Sequence, residues 1–102
     1  MARKEHKKTP KVIGPVLYTM TAAISLDSPT WFEWLDYNTT FYLESTSGTF
    51  TARREQRAAC FFWYAFRRYR KQLYKAYLGR PADLTHGRLL AVARQLAEKA
   101  GA

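Results

Sequence analysis

Half of the protein's aromatic residues lie in one short stretch that also carries six of its cations. This stretch is "CFFWYAFRRYRKQLYKAYLGR", residues 60–80. Lys and Arg side chains contact phosphate oxygens and base edges, and aromatic rings stack on bases or pack against cations. A segment rich in both residue types is therefore typical of a surface that binds a polyanion. Nucleic acid is the commonest polyanion in a cell, so it is the first partner to consider.

The charge of the whole chain favours the same class of partner. Seventeen Lys and Arg residues against eight Asp and Glu residues give a net charge of +9. Residues 53–80 hold nine Lys or Arg against Glu55 alone, whereas residues 12–52 hold only acidic charges. Clustered like charge opposes folding, so this block must face either a polyanion or water. Plain solvent exposure without any partner is the alternative.

Residues that could support catalysis or bind a metal ion are few and far apart. His6 and His86 are well separated, Cys60 is the single cysteine, and the chain has no glycine-rich phosphate-loop signature. Glu33 and Asp36 fall on one short predicted helix, where solvation explains them without general acid–base chemistry. We therefore expect that the protein is not an enzyme and that it has no catalytic residue, no metal site and no cofactor.

The sequence also favours a cytoplasmic protein that makes no membrane contact. Its longest uncharged run, residues 12–26, is interrupted by Gly14, Pro15 and several Thr and Ser residues, so it is too short and too polar to span a bilayer. The N-terminus lacks the apolar run and cleavage site of a secretory signal. A lone cysteine cannot form an internal disulfide, which fits a reducing compartment.

Three segments are expected along the chain. Residues 1–11 read as a flexible basic arm, because they show no apolar periodicity. Residues 12–27 form a Thr- and Ser-rich connector, with one short extended piece around residues 16–20. Residues 28–102 form a single small α+β domain that positions the basic and aromatic side chains.

Two helices are predicted from their capping residues. Ser28 suits the N-cap of a short helix, Pro29 its first position and Asn38 its end. Thr85 suits the N-cap of a second helix and Gly101 its termination. Apolar side chains fall on one face of each helix: Trp31, Trp34 and Leu35 in the first, and Leu89, Val92, Ala93, Leu96 and Ala100 in the second.

Strands are predicted between the two helices. Residues 41–53 alternate between apolar and polar side chains around "TSG", which is typical of a hairpin. Residues 60–69 and 72–78 are strongly aromatic and favour two more strands. Arg70 and Lys71 lack the Gly or Asn of a tight turn, so a longer or bulged turn is expected there. The expected fold is α+β, with a short N-terminal helix, a three- to four-stranded antiparallel sheet and a C-terminal helix packed on one sheet face.

Strand alternation sorts the side chains of the last two strands onto two faces. For a two- or four-residue turn centred on Arg70 and Lys71, the predicted pairs on one face are Trp63–Leu78, Ala65–Ala76 and Arg67–Tyr74, and those on the other are Tyr64–Tyr77, Phe66–Lys75 and Arg68–Leu73. Trp63, Ala65, Ala76 and Leu78 should receive the C-terminal helix, and rings and cations share the other face. Whether the helix with Trp31 and Trp34 covers that second face stays open. The candidate nucleic-acid-binding residues are Arg53, Arg54, Arg57, Tyr64, Phe66, Arg67, Arg68, Arg70, Lys71 and Lys75.

Several ordered motifs resemble one bacterial family. "GTFTARREQ", "WYAFRRYRKQLYKAYLGR" and "LTHGRLLAVARQLA" resemble the N-terminal leader segment of large bacterial LuxR-type (MalT-like) transcriptional regulators, over roughly residues 28–98. The resemblance implies either a free-standing relative or a fragment of a larger regulator. Two positions depart from the family pattern: the turn at Arg70 and Lys71 usually carries Gly, and Gly87 replaces an expected Glu.

The sheet–helix layout is also similar to the arm-type DNA-binding domains of tyrosine recombinases and to plant three-stranded DNA-binding domains. Those domains lay a sheet face into the major groove. By this analogy Arg53, Tyr64, Phe66, Arg68 and Lys75 would face the DNA. A likeness of fold alone does not establish function.

The leading functional hypothesis is a module that binds double-stranded DNA through a basic, aromatic sheet face, in transcription regulation or in a mobile element. RNA or a single strand is a second ligand of the same class, because exposed rings stack on unpaired bases. The alternative from another class is a regulatory protein-interaction module that docks on an acidic partner or on a larger regulator.

Overall fold

The computed structural model describes residues 9–101, and the chain there forms one sheet and two α-helices. The strands are β1 (Lys11–Ile13), β2 (Val16–Tyr18), β3 (Ala23–Ser25), β4 (Thr40–Ser45), β5 (Gly48–Arg57), β6 (Cys60–Tyr69) and β7 (Gln72–Gly79). The helices are α1 (Pro29–Tyr37) and α2 (His86–Ala100), and a short 3₁₀ helix covers Pro81–Asp83.

The sheet has seven strands in the order β3-β2-β1-β4-β5-β6-β7. Every neighbouring pair is antiparallel except β1 and β4, which run parallel. The expected three- to four-stranded antiparallel sheet is therefore wrong. The fold is α+β with a seven-stranded mixed sheet and two helices.

The additional strands come from residues that we expected to form a connector and the end of the basic arm. β2 lies within the extended piece predicted around residues 16–20. β1 and β3 are only three residues long, so no alternation of apolar and polar side chains marks them in the sequence. Val12 and Leu17 pair across β1 and β2 and are fully buried. The rest of the predicted arm, residues 1–8, lies outside the described residues.

The helix boundaries follow the capping residues predicted for them. The side chain of Ser28 accepts a hydrogen bond from the Trp31 backbone N–H, and Asn38 is the C-cap of α1. Thr85 caps α2 in the same way, and Gly101 ends it in the left-handed conformation that glycine adopts without steric strain.

Both helices pack on the same face of the sheet. Trp31 of α1 lies edge-on to Phe41 of β4, with ring centroids 5.5 Å apart. The indole N–H of Trp31 also donates to the Leu84 carbonyl at 2.7 Å, which joins α1 to the segment before α2. The buried stripe of α2 shares one core with β5, β6 and β7 through Ala52, Ala65, Ala76 and Leu78. The helix with Trp31 and Trp34 therefore leaves the other face of β5–β7 uncovered.

Close approach of α2 to the sheet depends on a glycine in the β4–β5 turn. Gly48 has a φ of +148°, and a Cβ added there would lie 2.8 Å from the carbonyl oxygen of Ala93. A side chain at this position would push α2 away from the sheet.

The register of β6 against β7 agrees with the predicted pairs at five positions, among them Ala65 with Ala76 and Phe66 with Lys75. A register shift between Trp63 and Tyr64 leaves Leu78 as an extra residue on β7, so Trp63 faces Gly79 instead of Leu78. Bulges of this kind add a residue to one strand and change its pairing beyond that point.

The turn between β6 and β7 differs from the expectation. It contains only Arg70 and Lys71, closed by the pair Tyr69 and Gln72. Both turn residues have positive φ, at 52° and 67°. A two-residue hairpin turn of this twist normally carries Asn-Gly or Asp-Gly. The strand register thus holds two cationic residues in a conformation that their side chains disfavour.

Candidate nucleic-acid interface

One face of β5, β6 and β7 has neither described helix packed on it. Strand alternation turns every second side chain of these strands toward this side, while the intervening ones enter the core. We call this surface the open face. It consists of Thr51, Arg53, Glu55, Arg57, Phe62, Tyr64, Phe66, Arg68, Leu73, Lys75 and Tyr77.

The aromatic rings of the open face contact one another and the neighbouring cations. Tyr77 lies 5.6 Å from Tyr64 and 6.2 Å from Phe62, measured between ring centroids. Lys75 Nζ lies 4.3 Å from the centroid of Tyr64 and 5.4 Å from that of Phe66. The rings therefore hold cations in place by cation–π contacts and leave less ring surface for stacking on bases.

Glu55 links two cations of the open face. Its Oε1 accepts a hydrogen bond from Arg57 Nη2 at 3.2 Å, and its Oε2 lies 3.6 Å from Lys75 Nζ. The hydrogen bond to Glu55 raises the pKa of Arg57 above its usual value, with a smaller electrostatic contribution from Tyr64. The guanidinium of Arg57, cationic as arginine is throughout proteins, lies 5.5 Å from the Tyr64 ring centroid.

Two shallow clefts meet at Arg53. One, of about 390 Å³, is lined by Arg53 together with Thr40, Tyr42 and Thr51 on the same side of the sheet. The other, of about 540 Å³, runs from Arg53 and Glu55 to Phe66 and Arg68. The two clefts share Thr51 and Arg53, so polar and cationic side chains line both of them.

The end of the β6–β7 hairpin extends the basic surface. Pairing between β5 and β6 stops at Thr51 and Phe66, so beyond this point β6 pairs with β7 alone. Arg70 lies 5.3 Å from the ring centroid of Tyr69. The turn residues Arg70 and Lys71 are both exposed. We call residues 67–74 the hairpin tip.

Arg54, one of the candidate residues, points to the opposite face from Arg53. Its Nη1 donates to the backbone carbonyl of Asp36 at 2.9 Å and to that of Leu35 at 3.4 Å. These carbonyls belong to the last turn of α1, where backbone acceptors have no partner within the helix. Its guanidinium also lies 4.2 Å from the Phe61 ring centroid. Arg54 therefore caps α1.

The structure divides the remaining candidates into three groups. Arg53, Arg57, Tyr64, Phe66, Arg68 and Lys75 come together on the open face. Arg70 and Lys71 form the turn of the hairpin tip. Arg67 is paired with Tyr74 on the side of the helices, and its guanidinium lies beside Gly48.

Several residues of this surface were missing from the candidate set. Phe62, Leu73 and Tyr77 lie on the open face and follow from the same alternation that places Tyr64 and Lys75 there. Glu55 lies on the same face by the same alternation, but its negative charge does not mark it as part of a surface for a polyanion. Lys11 pairs with Tyr42 beside this surface, and only the unpredicted parallel contact of β1 with β4 brings it there.

Within residues 9–101, no three His, Cys, Asp or Glu side chains lie close enough together to hold a metal ion. In the same part of the chain, neither helix is long and apolar enough to cross a membrane.

Comparison with known protein families, with curated proteins and with solved structures found no match. The resemblance to the leader segment of LuxR-type regulators therefore stays a prediction.

Proposed function

We propose that the protein binds double-stranded DNA through the open face. The observation that carries this proposal is the composition of that face: four cations and four aromatic rings surround a single carboxylate, and neither described helix covers them. The hairpin tip adds Arg70 and Lys71 at one end of the same surface.

The dimensions of the surface suit a major groove. Neighbouring strands lie about 4.8 Å apart, so β5, β6 and β7 together are about 10 Å wide between their outer axes. The major groove of B-DNA is about 12 Å wide and admits a two-stranded ribbon. The hairpin tip, which is two-stranded, would therefore enter the groove first, and the wider part of the open face would follow the adjacent phosphates.

The ring contacts favour a duplex over a single strand. Binding of unpaired bases needs rings with free faces. On the open face, Lys75 lies over Tyr64, and Arg57 approaches the same ring. Arg and Lys side chains held in this way are better suited to phosphates and to guanine edges, which a duplex presents in a regular array.

The proposed role is in transcription regulation or in a mobile element, and the proposed location is the cytoplasm. The exposed thiol of Cys60 fits a reducing compartment, where a lone cysteine stays free. The sequence resemblance to LuxR-type regulators supports a regulatory role.

A binding titration tests the proposal. Four phosphate contacts, a number that Arg57, Arg70, Lys71 and Lys75 can supply, give a salt slope of about −3.6. Affinity for a random duplex should then fall about 150-fold between 50 and 200 mM salt. A single strand should bind more weakly than the duplex under the same conditions.

Two variants separate base contacts from phosphate contacts. Lys75→Ala should weaken all duplexes about equally and lower the salt slope by about one counterion. Arg68→Ala should weaken a preferred site by about 1–3 kcal/mol and random DNA much less. Absence of binding to either form of DNA at low salt would reject the proposal and favour docking on an acidic protein partner.

A further inference from the structure

Glu55 is an unexpected residue for a surface that binds a polyanion. It is the single carboxylate of the open face, and its side chain is one-third exposed, at 32%. A carboxylate repels phosphate, so a surface that contacted the DNA backbone alone would bind more tightly without it. Its ion pairs with Arg57 and Lys75 do not explain it, because exposed pairs contribute little stability.

The carboxylate retains hydrogen-bonding capacity. Its two oxygens can accept about four hydrogen bonds, and the contacts to Arg57 and Lys75 use one site on each oxygen. Glu55 also lines the same 540 Å³ cleft as Arg53 and Arg68. A donor group that entered this cleft would meet the carboxylate between the cationic side chains.

We propose that Glu55 is a specificity-determining residue that accepts a hydrogen bond from the N4 amino group of a cytosine, an inference that rests on the proposed binding of duplex DNA. In the major groove only the amino groups of cytosine and adenine donate hydrogen bonds. The adenine amino group lies beside the N7 acceptor, which would face the negative charge of Glu55. Cytosine presents no such acceptor at its major-groove edge.

The position of Arg53 extends this inference to a second base. Arg53 precedes Glu55 by two residues on the same strand and the same face, so the two side chains start about 7 Å apart. Two base-pair steps of about 3.4 Å cover the same distance. Arg reads guanine through O6 and N7. The open face therefore selects duplexes with a guanine and a cytosine about two base pairs apart.

Selection from a library of random DNA duplexes tests the role of Glu55. The wild-type protein should enrich cytosine at one position by about 5- to 150-fold over the other bases, which corresponds to about 1–3 kcal/mol of discrimination. Glu55→Gln should lose this preference and enrich adenine, because Gln pairs with adenine N6 and N7. The same variant should bind random duplex more tightly than the wild type, since it lacks a charge that repels phosphate.

Glu33→Gln is the matched control. Glu33 is exposed on α1, on the other side of the sheet, so the variant carries the same charge change away from the open face. It should enrich the same sites as the wild type. Thermal unfolding of both variants should resemble that of the wild type, because Gln has nearly the same shape as Glu.

Two outcomes would overturn the role of Glu55 while leaving DNA binding intact. One is an unchanged cytosine preference in Glu55→Gln, and the other is duplex binding by the wild type without any preferred cytosine. Absence of duplex binding by the wild type would reject the proposed function itself, and the inference with it.

Discussion

Replacing the two turn residues of the hairpin tip should make the protein more stable and weaken its binding to DNA. Arg70 and Lys71 have φ values of 52° and 67° and are both exposed. The left-handed conformation costs about 1–2 kcal/mol for an ordinary L-residue. Asn-Gly is the preferred pair for a two-residue turn of this kind. The double variant Arg70→Asn, Lys71→Gly therefore removes strain and two charges together.

The expected gain in stability is smaller than the strain. Glycine has more conformational freedom in the unfolded chain, which offsets about 0.5–1 kcal/mol. The net gain in the free energy of unfolding should be about 1 kcal/mol, which corresponds to roughly 4–8 °C in Tm for a domain of this size. Loss of two phosphate contacts should lower the magnitude of the salt slope by about 1.8. Affinity should fall for all duplex sequences alike.

Thermal unfolding and a duplex titration at two salt concentrations measure both effects. Ala58→Gly is the control, because Ala58 in the β5–β6 turn also has a positive φ, 56°, but carries no charge. It should raise Tm and leave the salt slope unchanged. A lower Tm in the double variant would show that Arg70 and Lys71 do not strain the turn. A higher Tm with an unchanged salt slope would refute DNA contact by the hairpin tip.

Two further predictions concern the fold. Trp31→Phe should lower the free energy of unfolding by about 1–3 kcal/mol more than Trp63→Phe, as measured by chemical denaturation. Both indoles are buried, but within residues 9–101 the Trp31 indole N–H has a hydrogen-bond acceptor and the Trp63 indole N–H has none. Equal losses would contradict the Trp31–Leu84 contact. Val12→Ala should cost about 2 kcal/mol, since it removes two buried methyl groups from β1, whereas Ile13→Ala on the same strand should cost less because Ile13 is 44% exposed. A negligible effect of Val12→Ala would show that β1 is not part of the core.

Local signals in the sequence predicted the helices and the four longer strands. Ser28, Thr85 and Gly101 are capping residues whose preference arises within one helical turn, so a short window of sequence reveals them. The register of β6 against β7 followed from alternation outward from the turn at Arg70 and Lys71. Arg70 and Lys71 lack the Gly or Asn of a tight turn, so a longer or bulged turn was expected. The structure has a two-residue turn instead, because the pairing of the flanking strands outweighs the turn preference of these two residues.

Apart from the extended piece predicted around residues 16–20, where β2 lies, the N-terminal part of the sheet could not be predicted in this way. Strands β1, β2 and β3 are too short for a periodic signal, and β1 joins the sheet beside β4, about 30 residues later in the sequence. Such a parallel, non-local contact depends on the packing of the whole domain. The contact between β1 and β4 places Val12 in the core, although the sequence around Val12 predicts a connector.

The candidate surface was predicted only in part, because charge alone selects residues on both faces of the sheet. Arg53 and Arg54 are adjacent in the sequence, so they must point to opposite faces of β5. Alternation also places Arg67 on the side of the helices. Both Arg54 and Arg67 were nevertheless included as candidates on the basis of their charge. The contact of Arg54 with the end of α1 could not be read from the sequence.

The pair Arg53→Ala and Arg54→Ala tests DNA binding by the open face most directly. The two variants lose the same side chain and the same charge from neighbouring positions, on opposite faces of one strand. Duplex affinity should be measured by titration below the melting temperature of both variants, at two salt concentrations. Arg53→Ala should weaken binding at least about fivefold, as loss of a base contact does. Arg54→Ala should lower Tm, because it removes the cap of α1, and should largely retain duplex affinity. Equal losses of affinity in both variants, or a greater loss in Arg54→Ala, would contradict the account.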